Sequence, residues 1–322
     1  MNILIVAPAQ RGSTRGNRIT ADRYAKLLQQ LGHSVAVEDS SNAFPLSRLS
    51  DFELLIALHA GRSAEAISEF KKLTPSRPCV VVLTGTDLHL GLNENNDVLN
   101  SLEFADRIVV LEPEGLKCLS PPNVAKSRVI FQSAIPVVNP AQRLQRNFEV
   151  TLIGHLRPVK DPFLAVEATR LLPTDSSIKV THIGEALSPA MQERALYESS
   201  HNARYRWLGK RSHAETQRRL ARSRLTILTS EMEGAPSVIS EAIVNHIPVL
   251  ATRIAASIGL LGADYPGLFE VHKAAELAQL MYRSETDQAF YELLLKHCAR
   301  AANKFSPNRE LASWESLLRE LV

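Results

Sequence analysis

The chain has 322 residues, 45% hydrophobic and 22% charged, which is comfortable for two domains, each with its own core, and excludes extended disorder. Its 37 basic and 34 acidic residues leave a formal charge of +3, too weak a field to argue nucleic-acid binding, so local basic clusters matter more than the total. Cys79, Cys118 and Cys298 lie far apart without C-x-x-C spacing or neighbouring histidines, which indicates neither a disulfide framework nor a zinc site and fits a reducing cytoplasm.

The first apolar run, Asn2 to Ala7, has no preceding positive region and stops at Pro8. It is too short for a signal peptide or a membrane span and reads as a buried strand. No later segment approaches the length of a membrane-spanning helix, so no integral membrane segment is expected. A loop with two glycines follows, then a helix carrying Tyr24, Leu27, Leu28 and Leu31 on one face with Gly32 at its stop. Strands are predicted at Ser34 to Glu38, Phe52 to His59, Cys79 to Leu83, Arg107 to Leu111 and Arg128 to Phe131, with helices at Arg62 to Leu73 and Val98 to Ala105. Continuous apolar strands interleaved with helices imply a parallel sheet covered on both faces.

Pro136 to Asn147, with two prolines, two asparagines and a polar run, breaks this rhythm and is assigned as the linker. A second series follows. Strands are predicted at Phe148 to Gly154, Ile178 to Ile183, Tyr205 to Leu208, Leu225 to Thr229 and Val249 to Ala251. Helices are predicted near Asp161 to Leu172, Pro189 to Ser199, His213 to Arg222 and Ser237 to Asn245. The expected organisation is therefore α/β, with two doubly wound, Rossmann-like domains over residues 1–140 and 148–305 and ligands at a central cleft. The amphipathic stretch Asn308 to Leu321 is expected to return to the first domain as a helix.

Three clusters carry chemistry. In the first, Glu233 and Glu241 are separated by seven residues across a strand-loop-helix junction. Gly234 allows close backbone approach, the helix beyond Pro236 offers unpaired N–H groups to a phosphate, and carboxylates suit sugar hydroxyls. The alternative is a helix-end charge plus a solvated glutamate. In the second, the run from Gly154 through Arg157 and Lys160 to Asp161 follows a strand and precedes a helix. Its two cations can neutralise a diphosphate leaving group, work that a metal does elsewhere, and no D-x-D pair is present to hold a metal. Surface charges in a βα loop are the alternative. In the third, the loop after the first strand carries Arg11, Gly12, Arg15 and Arg18 and suits an anion nest, with a flexible solvated loop as the alternative. It lacks the G-x-G-x-x-G fingerprint, which ranks a dinucleotide enzyme low.

Further residues lie at strand ends. His59, followed by Gly61 and Arg62, and the run Thr84-Gly85-Thr86-Asp87 would project at the cleft mouth, and Asp87 is open to three roles: base, orienting acid or helix cap. Trp207-Leu208-Gly209-Lys210 could offer backbone groups to a uracil edge, or Trp207 could be a core aromatic beside a turn.

The two-domain layout, Glu233 with Glu241, and Arg157 with Lys160 resemble glycosyltransferase family four, whose members have the GT-B fold. More narrowly, Pro8-Ala9 with Gly12-Ser13 and Gly16-Asn17-Arg18, Leu83 to Leu88, Gln132-Ser133-Ala134, Gly154 to Pro162 and Gly259 to Gly262 resemble the selenosugar synthases of selenoneine biosynthesis, along nearly the whole chain. That resemblance implies a cytoplasmic, metal-independent hexosyltransferase that needs no cofactor. Its donor would be UDP-N-acetylglucosamine or UDP-glucose, its acceptor selenophosphate, and its products a 1-selenosugar, UDP and phosphate. It further implies that Arg157 and Lys160 hold the diphosphate, Glu241 the ribose, Glu233 the hexose, and Gly209-Lys210 the uracil neighbourhood. Gly12, Gly154, Gly234, Ala235 and Ser237 would complete the donor side. His59 and Asp87 would join Arg157 and Lys160 as catalytic residues, Asp87 in a secondary part, and Arg11, Arg15, Arg18, Arg62, Thr84, Gly85 and Thr86 would bind the acceptor. The chain departs from that pattern at Ala235-Pro236-Ser237, where a second Gly and an Asn are usual, and at His246-Ile247, where a Gly precedes the proline. The first departure borders the donor sugar and leaves the hexose open. The competing readings are a family-four transferase acting on a hydroxyl acceptor and a non-catalytic nucleotide-sugar binding module.

Overall fold

The structure, a computed structural model, describes residues 1–8, 16–40, 46–89, 92, 95–142 and 146–321. It divides into two units, Met1–Gln132 with Pro307–Val322, and Ser133–Ser306.

In chain order the first unit holds β1 (Asn2–Ala7), α1 (Gly16–Gln30), β2 (Ser34–Asp39), β3 (Leu54–Leu58), α2 (Ala64–Leu73), β4 (Cys79–Val82), α3 (Thr86–His89), α4 (Asn96–Phe104), β5 (Arg107–Val110), α5 (Pro121–Ala125) and β6 (Ser127–Val129). Its sheet has the order β2-β1-β3-β4-β5-β6 with every pairing parallel. Ile5, for example, sits between Val37 and Ile56. β1, β3 and β4 are apolar on both faces because helices cover both. On one face Leu4, Val6, Leu55, Ala57, Val81 and Ile108 pack with Ile67 and Phe70 of α2 and with Val98 and Leu102 of α4. α1 buries Tyr24, Leu27 and Leu28 and is closed by Gly32 at φ 85°, a left-handed turn that costs glycine little.

The second unit holds β7 (Phe148–Ile153), α6 (Leu164–Arg170), β8 (Ile178–Ile183), α7 (Pro189–His201), β9 (Tyr205–Trp207), α8 (His213–Arg222), β10 (Leu225–Leu228), α9 (Ser237–Val244), β11 (Val249–Thr252), α10 (Ala255–Leu261), β12 (Leu268–Phe269), α11 (Ala274–Thr286) and α12 (Gln288–Ala302). Its sheet is also parallel, in the order β12-β11-β10-β7-β8-β9. α8 starts at Ser212, whose side chain caps the helix by accepting the Glu215 N–H.

The final helix, α13 (Pro307–Arg319), belongs to the first unit. It buries Trp314, Leu317 and Leu318, sets the Trp314 ring 4.7 Å from that of Tyr24, and pairs buried Glu310 with Arg23 at 3.2 Å. The assigned linker, by contrast, falls within the second unit. The Ala134 N–H donates to the Phe305 carbonyl at 3.1 Å and the Val137 N–H to Asn245 Oδ1 at 2.8 Å, so the unit boundary falls after Gln132. The helix expected from Asp161 begins later, at Leu164, because Asp161 takes a left-handed φ of 39° at the end of a single 3-10 turn.

Each sheet reverses its strand order once. In the first unit the reversal lies between β1 and β3, and in the second between β7 and β10. Loops leaving the carboxyl ends of such strands diverge and open a crevice, the place where doubly wound sheets bind ligands. No helix among the described residues is long and apolar enough to cross a membrane.

Candidate functional site

In the second unit the reversal brings together the loops after β7 and β10, which carry the second and first sequence clusters. Lys160 Nζ forms an ion pair with Glu233 Oε1, and Ser230 Oγ donates to the same oxygen at 2.7 Å. The loops are also tied through their backbones: the Glu231 N–H donates to the Val159 carbonyl at 2.9 Å and Thr229 Oγ1 to the Lys160 carbonyl at 2.8 Å. Arg157 begins the 3-10 turn that ends at Lys160; it is exposed and has no ion pair among the described residues. One cation is thus held beside a carboxylate and a second stands uncommitted on the same short loop.

α9 starts directly beyond Glu233, with Pro236 at its N-cap, Ser237 exposed at its first turn, and Gly234 and Ala235 half-buried in the approach. Its first N–H groups and dipole favour an anion. Glu241, half-buried, lies one turn further on. The loop after β9 carries Gly209 at φ 70°, whose carbonyl accepts the Gly184 N–H at 3.1 Å, and Lys210, which pairs with Glu185 at 3.4 Å. Trp207 is half-buried and donates through Nε1 to the Gly184 carbonyl at 2.9 Å, so the indole braces this loop.

His155, between Gly154 and Arg157, reveals the electrostatics. Burial depresses its pKa; Glu185 opposes this, while Lys160, Arg157 and Lys210 depress it further. Its Nδ1 accepts the Glu185 N–H at 3.2 Å. Three cations from two loops therefore act on one neutral imidazole, the field expected of an anion site.

Asp161, Glu231 and His272 form a second cluster next to this pair, with one ligand-type atom from each lying within 4.8 Å of the others. Both ring nitrogens of His272 face carboxylates, Nδ1 at 3.0 Å from Asp161 and Nε2 at 3.8 Å from Glu231. The trio has no D-x-D spacing, because its members come from three loops. These are the described side chains that could hold a divalent ion.

In the first unit, His59 and the Thr84 to Asp87 run meet at the carboxyl ends of β3 and β4. Burial lowers the His59 pKa, Asp87 partly offsets this, and Arg62 adds to it. The Arg62 N–H donates to Nδ1 at 3.3 Å, so a neutral ring carries its proton on Nε2 and donates it to Thr86 Oγ1 at 2.9 Å. His59 also holds a left-handed φ of 68°, a strain of the kind found at binding sites. Asp87 is 1% exposed. Its Oδ2 accepts the Ala60 N–H at 2.9 Å, and its Oδ1 accepts those of Thr84 and Gly85 at 2.9 and 3.0 Å. Asp87 thus ties the loops after β3 and β4 together through their backbones. Arg62 and Thr86 are exposed and Thr84 half-buried, whereas Arg18 is buried on α1 and pairs with Asp22 at 3.0 Å. Arg11, Gly12 and Arg15 lie outside the described residues.

Residues 140–305 match the family of glycosyl transferases group 1. Among solved structures, Anabaena HepE in complex with UDP is 16% identical, covers 100% of both chains and has a TM-score of 0.78. The same protein with UDP-glucose gives 0.76 at the same identity and coverage. Sucrose-phosphate synthase from Thermosynechococcus elongatus is 14% identical over 99% of this chain and 98% of its own, with a TM-score of 0.78. These likenesses identify the expected GT-B fold, two parallel sheets of the doubly wound kind.

Proposed function

The chain belongs to the group 1 glycosyl transferases, and from that premise we propose that it transfers N-acetylglucosamine, or a related hexose, from a UDP-sugar to selenophosphate without a divalent ion. The observation that carries the donor half is the Lys160–Glu233 pair at the strand reversal, with Arg157 uncommitted beside it. In this reading an arriving diphosphate takes Lys160 from Glu233. Lys160 and Arg157 then neutralise the charge that develops on UDP as it leaves, aided by the N-terminus of α9. Glu233, released, accepts hydroxyls of the hexose, Glu241 those of the ribose, and the Gly209-Lys210 turn borders the uracil. The UDP and UDP-glucose complexes of HepE support this choice of nucleotide.

The first unit supports an acceptor that arrives without a proton to lose. Both nitrogens of His59 are engaged in hydrogen bonds, and Asp87 is buried with both oxygens bonded to backbone N–H groups, so neither is placed to deprotonate an alcohol. Selenophosphate is already anionic. Its selenium attacks the anomeric carbon, the C1–O bond breaks with its electron pair leaving on UDP, and water then cleaves the Se–P bond to release phosphate. Arg62, Thr84, Gly85 and Thr86, with the basic loop after β1, would hold the anion.

UDP release from UDP-N-acetylglucosamine, assayed with selenophosphate, with thiophosphate and without acceptor, is expected to depend on selenophosphate. Release indifferent to it would remove that acceptor, and turnover only with an added alcohol or saccharide would establish the hydroxyl-acceptor transferase instead.

A further inference from the structure

Gly154 follows β7 directly and opens the loop that carries Arg157 and Lys160, so its peptide sets where that loop points. Its N–H donates to the Ile183 carbonyl at 3.0 Å and its carbonyl oxygen lies 3.0 Å from Nε2 of His182, on β8. The other ring nitrogen of His182, Nδ1, is 2.7 Å from the hydroxyl of Tyr205 on β9. Three adjacent strands are thus joined side chain to side chain to backbone, in the order β9, β8, β7. His182 and Tyr205 are 1% and 2% exposed.

Chemistry fixes the direction of each proton. A carbonyl oxygen only accepts, so His182 carries its proton on Nε2, and the neutral ring then accepts at Nδ1 from the Tyr205 hydroxyl. Burial holds His182 neutral, its pKa depressed to about 4, and pushes the Tyr205 pKa up. The space around the Gly154 carbonyl is equally specific. A Cβ added to Gly184 would stand 1.8 Å from that oxygen, so the carbonyl rests against the bare backbone of Gly184. On Gly154 itself an added Cβ would meet nothing within 4 Å, leaving that side open for a ligand to approach the backbone. The loop is stitched onward by Leu156 N–H to the Glu185 carbonyl at 2.9 Å and Leu187 N–H to the Leu156 carbonyl at 3.2 Å. Arg157 follows at once.

We propose that His182, held in one tautomer by Tyr205, is a positioning residue for nucleotide binding. By anchoring the Gly154 carbonyl it fixes the antiparallel His155 N–H and aims the Arg157 and Lys160 loop at the diphosphate. A planar trans peptide cannot reorient one group without the other. The proposal rests on the donor reading above.

The test is UDP affinity by calorimetry, well below each protein's melting temperature, for wild type, Tyr205→Phe, His182→Leu and His182→Gln. Losing one buried hydrogen bond that orients the loop is expected to weaken UDP by about tenfold in the Phe and Leu variants. Gln, whose amide reaches as Nε2 does, should recover most of it. A purely structural role would lower the melting temperature and leave UDP affinity unchanged, which overturns the proposal. Should the Leu variant fail to fold, ring-nitrogen NMR of wild type decides. The His182 Nε2–H signal is expected to move on UDP addition, and a signal that stays put contradicts the assignment. Wild type that does not bind UDP at all would instead overturn the donor reading, and this inference with it.

Discussion

Asp87 illustrates how a single side chain is assigned by its hydrogen bonds. A buried carboxylate that accepts three backbone N–H groups stabilises the turn from β4 into α3 and the exit from β3. Asparagine in its place would set an amide N–H against one of those donors. Asp87→Asn is expected to cost about 1–3 kcal/mol of stability, read by denaturant unfolding, while the folded variant keeps most of its UDP-release rate. A loss of turnover without loss of stability would instead make Asp87 a base. The sequence Thr84-Gly85-Thr86-Asp87 displayed the residue but could not choose among its roles, since the deciding donors include Ala60, far back in the chain. Lys160 and Glu233 were each legible as ligand-binding residues, yet their pairing was not, because the strand reversal joins loops that are distant in sequence. His182 was invisible for another reason: a histidine within an apolar strand reads as core, and only Tyr205 on the next strand and Gly154 on the other side give it work.

Secondary structure elements were legible where hydrophobic period and punctuation agree. β1, β3 and β4 are continuous apolar runs, and α13 declares itself by Leu311, Trp314, Leu317 and Leu318 on one face. No element was expected between Ala251 and Asn308, where the structure has α10, β12, α11 and α12. Asp287 both ends α11 and caps α12, accepting the Phe290 N–H at 3.0 Å, so no glycine or proline marks the break. The boundary after Gln132 was hidden as well, because the prolines and asparagines of residues 136–147 look like a linker while Ala134 and Val137 are bonded to the second unit. α13 earns its place in the first unit by burying Trp314 against Tyr24. Trp314→Ala is expected to destabilise that unit by about 3–5 kcal/mol, measured as a lower denaturant midpoint. An unchanged midpoint would show that the helix is not part of the cooperative core.

Taken whole, the molecule repeats one physical device: a parallel sheet whose order reverses once, with charged and glycine-bearing loops at the reversal. The first unit places neutral His59 there, its loop tied by the Ala60 N–H to buried Asp87 after β4, and the second places Lys160, Glu233 and Arg157. The central claim is that the two cations do electrostatic work on departing UDP that needs no divalent ion, even though Asp161, next to Lys160 in the chain, forms with Glu231 and His272 a group that could hold one. The most direct measurement is UDP release with selenophosphate in excess EDTA, by wild type and by Lys160→Ala. The account predicts that wild type keeps its rate under chelation and that the variant is slower by about 100-fold or more, the usual loss when a group stabilising a leaving charge is removed. Wild-type activity abolished by EDTA and restored by manganese, or Lys160→Ala turning over at the wild-type rate, would contradict it.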